Sequence, residues 1–320
     1  TVLLYYKFFK IEDPQKWRDE HQLFCEKREI KGRVFFAHEG INGTVAGTIE
    51  ACEEYKSFLK SIPGCETISF KEEHSKKVPF EKLKTKVRPY ILNMGFKPED
   101  DVDPSSVTGN HLEPHEWRQV LESDADYVLL DIRNNYESEI GHFKGAICPD
   151  LEGFTDFPAW VKDLDNYKDK KVLMYCTGGI RCEKYSSLMI KEGFKDVNQL
   201  NGGILNYKNK EDGAHFEGKC FVFDDRLAVD INKNSETISK CFHCKEKEDK
   251  YINCANMECN KLFIICDDCA KKYAATCSED CLNSGKNRPY DAENFRIPFR
   301  KKGIVFPELG IRQYPKKTTK

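Results

Sequence analysis

No apolar run in this chain approaches the ~18 residues of a membrane-spanning helix, so no membrane span is expected. No signal-peptide pattern is visible either, and the expected compartment is the cytoplasm, although a leader trimmed before Thr1 stays open. There is no internal repeat, which excludes solenoids and arrays. The Gly-x-Gly-x-x-Gly spacing is missing, because Gly178-Gly179 and Gly202-Gly203 do not fit it; no flavin or nicotinamide site is therefore expected. A strong net charge is also lacking: the formal value is −2. The charge is uneven, however, with ten Lys/Arg against three Asp/Glu over 286–320. Such a basic end suits contact with nucleic acid, or simply solvation.

Cysteine, by contrast, is abundant, with 15 in 320 residues. Eight of them, Cys241, Cys244, Cys254, Cys259, Cys266, Cys269, Cys277 and Cys281, crowd into one segment. Disulfides at this density belong to small secreted proteins, and metal binding in a reducing cytosol fits a large chain better. Two of the pairs are Cys-x-x-Cys, whose turn places two thiolates on one tetrahedral ion. Eight thiolates suit two structural zinc ions with four ligands each, which leaves no open position for catalysis. The pairing is either sequential or interleaved, with 241/244 joined to 266/269 and 254/259 to 277/281. Spacing does not choose between them.

The most informative stretch is Val172-Leu173-Met174-Tyr175-Cys176-Thr177-Gly178-Gly179-Ile180-Arg181-Cys182. An apolar strand ends in a cysteine, a glycine-rich loop follows, and a helix begins. Backbone N–H groups converging in such a loop, with the positive helix end, favour a thiolate. Gly178 and Gly179 allow the loop to curl, and Arg181 is placed to clamp an anion or brace the loop. Cys182 is either a resolving thiol or a packing residue. Four residues separate Cys176 from Arg181. Cysteine phosphatases need five to cradle a phosphate. The tighter loop resembles the rhodanese active loop, which suits a persulfide or a small anion. Tyr127 to Glu137 followed by Gly141 to Ile147 resembles the rhodanese signature before that loop, and Val197 to Ile204 the one after it. On this resemblance Asp131, Arg133, Glu137 and His142 support the site.

Strand and helix signals divide the chain into parts. Residues 1–95 read βαββαβ, which predicts a small ferredoxin-like α+β domain. Within it Val2–Phe9, Arg33–Ala37, Thr44–Ala46 and Thr67–Phe70 are expected strands, Ile49–Ile62 a helix, and His38–Gly43 a turn on account of Asn42-Gly43. Residues 96–110 read as a linker. Residues 111–230 alternate as a parallel α/β sheet requires, with Asp131 and Cys176 at C-terminal strand ends, where sites of open α/β sheets gather. A cysteine-rich region over 231–285 and a basic tail over 286–320 follow. Overall the chain is expected to be α/β: a ferredoxin-like domain, a rhodanese domain with a parallel sheet, and a zinc-binding region.

The resemblance extends beyond the rhodanese part. Lys7-Phe8-Phe9, Gly32 to Gly43, Lys86-Val87-Arg88, Cys176 to Lys184, Phe221 to Arg226 and the cysteine-rich segment together are similar to the bacterial rhodanese-domain tRNA uridine hydroxylases. The resemblance implies 5-hydroxylation of the anticodon wobble uridine with molecular oxygen, tRNA as partner, and Cys176 as the reactive cysteine. Two chemistries follow from it: a thiolate adding to C6 of uracil to enrich C5 in electrons, or a cysteine persulfide. A rhodanese-type sulfurtransferase is the alternative function, and a zinc-dependent RNA-binding protein with a vestigial rhodanese fold is the third reading. The intact Cys176 and Arg181 argue against the last. The basic residues Lys71, Lys76, Lys77, Lys82, Lys84, Lys86 and Arg88 are candidates for phosphate contact. Oligomeric state is not readable from the chain.

Overall fold

A computed structural model describes residues 1–96, 102–151, 153–293 and 295–296. Part of the expected linker, 97–101, and the expected basic tail from 297 onward lie outside the described residues. The chain divides into two compact units, Thr1–Glu236 and Thr237–Lys320.

The first unit opens with β1 (Val2–Phe8), α1 (Pro14–Glu26), β2 (Lys31–Ala37), β3 (Gly40–Ala46), α2 (Ile49–Lys60), β4 (Phe70–Glu73) and β5 (Leu83–Val87). Asp13 starts α1 by accepting from the Lys16 N–H at 2.9 Å, and Pro14 at the first helical position has no N–H to leave unpaired. Thr48 caps α2 in the same way. The sheet order β4-β1-β3-β2 is that of the expected ferredoxin-like fold, and β5 extends it beside β2 in parallel. Along β1 the side chains alternate. Leu3 and Tyr5 are fully buried in the core of this lobe, while Leu4 packs against the core of the next.

Three local expectations differ. The turn between β2 and β3 is only His38-Glu39, because Ala37 already pairs with Gly40, and Asn42-Gly43 lies in mid-strand. Gly43 is required there by space: a Cβ would stand 2.3 Å from the Tyr5 hydroxyl. The fourth strand begins at Phe70, opposite Tyr5, three residues later than expected. Strand β5 carries the basic run 82–88, whose charges hid its alternation.

The central lobe continues with β6 (Asn110–Leu112), α3 (Pro114–Leu121), β7 (Tyr127–Asp131), α4 (Asn135–Ser138), β8 (Gly141–Phe143), α5 (Phe157–Trp160), β9 (Lys171–Tyr175), α6 (Ile180–Lys191), β10 (Asp196–Leu200), α7 (Gly203–Glu211), β11 (Phe216–Phe221) and β12 (Ala228–Asp230). The four strands β6-β10-β9-β7 pair in parallel. Both faces are covered, as a parallel sheet needs. Val128, Leu130, Val172 and Met174 point into one apolar core with Tyr185 and Leu188 of α6. Leu129, Leu173 and Tyr175 point into the other, with Trp117 of α3 and Ile204 of α7. A second sheet, β12-β11-β8, flanks them.

The second unit holds the hairpin β13 (Tyr251–Asn253) and β14 (Leu262–Ile264), then α8 (Asp267–Lys272) and α9 (Glu279–Asn283). Its small core mixes Ile252, Phe263 and Ile265 with cysteines. Among the described residues no helix is long and apolar enough to cross a membrane.

Candidate active site and metal centres

Cys176 follows the last residue of β9, and α6 starts four residues later, so its sulfur sits at a helix N-terminus. The Gly179 N–H points at Sγ from 3.1 Å. Gly179 has φ +100°, in the region that favours glycine, and this turns its N–H inward. Burial alone would raise the Cys176 pKa, because the side chain is 1 % exposed. The hydrogen bond from Cys182, the charge of Arg181 and the N–H groups of Arg181 and Cys182 outweigh burial and bring it down to about 5. Cys176 is therefore a thiolate at neutral pH. Cys182 has the opposite fate: burial and the neighbouring Cys176 charge hold it protonated, which keeps it a donor.

The loop is fixed from below by α7. The Ile204 N–H donates to the Cys176 carbonyl at 3.0 Å and the Leu205 N–H to that of Thr177 at 3.1 Å. Gly203 lies so close that a Cβ would meet the Cys176 oxygen at 2.5 Å and the N atoms of Gly178 and Gly179 at 2.8 Å. Gly203 thus lets α7 touch the loop.

Arg181 braces rather than reaches out. Its guanidinium forms a bidentate pair with fully buried Glu137, at 2.6 and 2.7 Å, and Thr177 donates to the same carboxylate at 3.3 Å. Asp131 and Arg133 form a separate buried pair at the end of β7. Asp131 accepts from the Arg133 Nε at 2.8 Å and from the Tyr175 hydroxyl at 2.9 Å, while Arg133 also donates to the Gly141 carbonyl. That network ties β7, β8 and β9 together. His142, on β8, is half-buried and bonded to the Ser138 carbonyl at 3.0 Å. Of the sequence-predicted residues, Gly178, Gly179, Arg181 and Glu137 gather around Cys176, whereas Asp131, Arg133 and His142 hold the scaffold.

The cover over the loop comes from the N-terminal lobe. A Cβ on Gly178 would lie 2.5 Å from Leu4 Cδ2, and one on Gly179 would lie 2.8 Å from the Tyr6 hydroxyl. The Tyr6 hydroxyl donates to Glu183 at 2.8 Å. Glu183, on α6, also accepts from Thr108 at 3.0 Å and pairs with His111 at 2.9 Å. Burial disfavours its charge, but these partners, His111 first, hold its pKa below the ordinary value; reciprocally, the bond to Glu183 raises that of His111. Further ion pairs join the lobes: Glu39 with fully buried Lys184 at 2.9 Å, and Glu73 with Arg226 and Lys208, each at 2.9 Å. A cleft of about 290 Å³ opens beside this seam, lined by Tyr6, Lys71, Pro104, Thr108, His111 and Glu183 among others. Lys76, Lys77, Lys82, Lys84, Lys86 and Arg88 of the basic run are exposed, but Lys71 is 7 % exposed and faces this cleft. The sequence named Lys71 only as a candidate phosphate contact and did not point to Tyr6, His111 or Glu183 as site residues. The only signal was Glu183 inside the loop motif, and its partners come from segments far apart in the chain.

In the second unit the cysteines form two tetrads, Cys241/Cys244/Cys266/Cys269 and Cys254/Cys259/Cys277/Cys281, with the four sulfurs of each within 4.8 Å of one another. The pairing is interleaved. A tetrahedral ion with sulfur ligands at ~2.3 Å spaces them ~3.8 Å apart. The observed separations of 3.7 Å for Cys244–Cys266 and Cys259–Cys277, and 3.8 Å for Cys277–Cys281, fit it. His243 is turned away: it bonds the Thr276 carbonyl and stacks on Tyr273.

Comparison with known proteins bears on all three parts. Residues 1–91 match a family described as UPF0176 acylphosphatase like domain, 113–210 the rhodanese-like domain, and 217–282 the rhodanese C-terminal family. A protein of Cytophaga hutchinsonii named tRNA uridine(34) hydroxylase is 45% identical over 291 residues, covering 91% of this chain and 92% of its own. One of the same name from Acholeplasma laidlawii is 43% identical over 302 residues, covering 93% and 94%. Among solved structures, the rhodanese-like domain of an Anabaena protein is 23% identical, covers 35% of this chain and 80% of that one, and has a TM-score of 0.29.

Proposed function

The chain belongs to the tRNA uridine(34) hydroxylase family, and from that premise we infer that it hydroxylates C5 of the wobble uridine of tRNA, with Cys176 as the nucleophile. The observation that carries this is the likeness to those relatives over nine-tenths of the chain. The thiolate at Cys176 supports the role of that residue. Uracil C5 must gain electron density before it takes an oxygen atom. Addition of the thiolate to C6 supplies it, as a nucleophile activated by a lowered pKa does. With molecular oxygen as co-substrate, C5–H becomes C5–OH and the second oxygen atom leaves as water. An external donor then provides two electrons and two protons.

The roles of the other residues follow from their contacts. Glu137 holds Arg181, and Arg181 favours the thiolate. Gly179 aims its N–H at the sulfur, and Gly178 leaves room for Leu4. Asp131, Arg133 and His142 keep the strand ends in place. The two cysteine tetrads are read as structural zinc sites, in which the ion would cross-link a unit too small to fold on its apolar core alone. The cytoplasm, where tRNA is found, is the compartment this reading assigns to the protein.

The test is nucleoside mass spectrometry of tRNA from a host deleted for the gene and complemented with wild type or Cys176→Ser. Restoration of a +16 uridine by wild type alone is the expected result. Loss of a thiolated nucleoside in the deletion, with no +16 change, would replace this reading by the sulfurtransferase.

A further inference from the structure

Lys71 has no task in the mechanism so far, yet its placement is costly. It lies on β4 opposite Leu4 of β1, the residue that abuts Gly178. Its side chain is 7 % exposed, and Nζ stands 4.7 Å from the Tyr6 ring centre. Among the described residues it has neither a hydrogen-bond partner nor an ion-pair partner. An ammonium taken from water without a bonded carboxylate is unfavourable. The neighbouring residues of β4 are well anchored, since Glu73 is held by Arg226 and Lys208 and the Glu72 carbonyl by Asn209. The lysine is therefore held in place by its strand and lines the cleft beside the loop.

Tyr6 from β1 lies against it, and Glu183 from α6 and His111 from β6 line the same cleft, while the charges of Cys176 and Glu183 act on it through space. Burial pulls the Lys71 pKa down to about 8, against the support of Cys176 and Glu183. Glu183 is already shared among Tyr6, Thr108 and His111. The thiolate is the one negative group of the set without a cationic hydrogen-bond partner of its own among the described residues.

Resting on the uridine reading above, we propose that Lys71 is a catalytic residue whose ammonium serves as counter-charge first to the Cys176 thiolate and then to the enolate oxygen formed when that thiolate adds to the base. In this step the sulfur lone pair forms the S–C6 bond. The C5=C6 pair moves to C4–C5 and the carbonyl pair moves onto O4. One negative charge passes from sulfur to oxygen, and no proton, oxidant or reductant is consumed. A fixed cation that sees both ends of this transfer stabilises the transition state without reorganising. On this proposal the unstacked base enters by the cleft beside the loop, whose lining includes Tyr6 as an aromatic face.

Two measurements on the full chain test it. In the first, the rate of iodoacetamide modification of Cys176 is followed against pH by peptide mass spectrometry, with no tRNA present. Lys71→Gln should raise the midpoint by about one pH unit or more, and Lys71→Arg should leave it within about half a unit. In the second, tRNA from the deletion host is incubated with enzyme in D₂O without oxygen, and deuterium at C5 of the wobble uridine is read as +1. The enolate takes up deuterium at C5 and reverts, so this exchange needs no oxidant. Lys71→Gln should lower the turnover of exchange about 100-fold with KM for tRNA nearly unchanged. Lys71→Arg should recover most of it. A wild-type midpoint and wild-type exchange in Lys71→Gln overturns the proposal. So does equal loss of exchange in both variants with an unmoved midpoint, the mark of damaged packing. If wild type itself exchanges no C5 hydrogen, the uridine-addition reading fails and the enolate role fails with it, while the midpoints alone decide on the lysine–thiolate pair.

Discussion

Replacing Glu137 by glutamine should weaken the fold and leave the thiolate intact. The carboxylate is fully buried and receives both guanidinium N–H groups of Arg181, the Thr177 hydroxyl and the Asn134 N–H. Glutamine keeps one carbonyl oxygen and turns an NH₂ toward donors. Arg181 then carries an uncompensated buried charge, and breaking a buried pair in this way costs about 3–5 kcal/mol. Against a total stability of about 5–15 kcal/mol, and at roughly 2–4 °C per kcal/mol for a unit of this size, the melting temperature should fall by about 6–20 °C. The effect on Cys176 runs the other way. The Arg181 charge lowers the Cys176 pKa, and without Glu137 beside it that charge acts on the thiolate more strongly. Calorimetry gives the first quantity and pH-dependent alkylation of Cys176 the second. In Arg181→Gln the fold should also weaken, but the Cys176 midpoint should rise. A melting temperature within about 2 °C of wild type in Glu137→Gln, or a midpoint that rises in that variant, would refute the assignment of Arg181 as a braced electrostatic support.

Two further predictions concern parts away from the loop. His21 is buried among Tyr55, Thr85 and Cys25, and burial depresses its pKa from 6.5 to about 3. A histidine kept neutral in the fold takes up its proton on unfolding, so its contribution is complete above pH 6.5 and is lost as pH falls toward 3. Urea unfolding should therefore lose about 1.5–2 kcal/mol more between pH 6.5 and 5 in wild type than in His21→Gln; equal slopes in the two proteins would count against it. A colorimetric zinc assay after thiol modification should find two ions per chain, one in Cys241→Ser and in Cys269→Ser, and still one in the double variant, because both cysteines belong to one tetrad. Loss of both ions in the double variant would contradict the interleaved assignment.

What the sequence revealed and what it hid follow from distance along the chain. The loop from Cys176 to Arg181 is local, so strand, cysteine, glycines and helix could be read in order. The parallel sheet was legible for the same reason, as was the zinc segment, except for its pairing. Interleaving depends on which hairpin folds back on which, and spacing carries no trace of that. Lys71 looked like one more member of a basic run, because its neighbours Lys76 and Lys77 are on the surface. Its burial arises only when β4 docks beside β1 and that sheet face meets the loop. Glu183 was visible in the motif, but its partners Tyr6, Thr108 and His111 lie 177, 75 and 72 residues away. Asn42-Gly43 imitated a hairpin turn because glycine was selected by the Tyr5 hydroxyl above it and not by a bend.

The cover that Leu4 and Tyr6 place over the loop has a chemical consequence of another kind. A thiolate at neutral pH is the form of cysteine that oxidants attack first, and beyond the sulfenic acid the damage is irreversible. The oxygen-dependent reaction proposed above would expose the site to such oxidants. With Cys176 only 1 % exposed beneath the β1 side chains, peroxide from bulk solvent meets aromatic and aliphatic carbon before it meets sulfur. The lobe that shapes the cleft thereby also slows oxidation of the Cys176 sulfur.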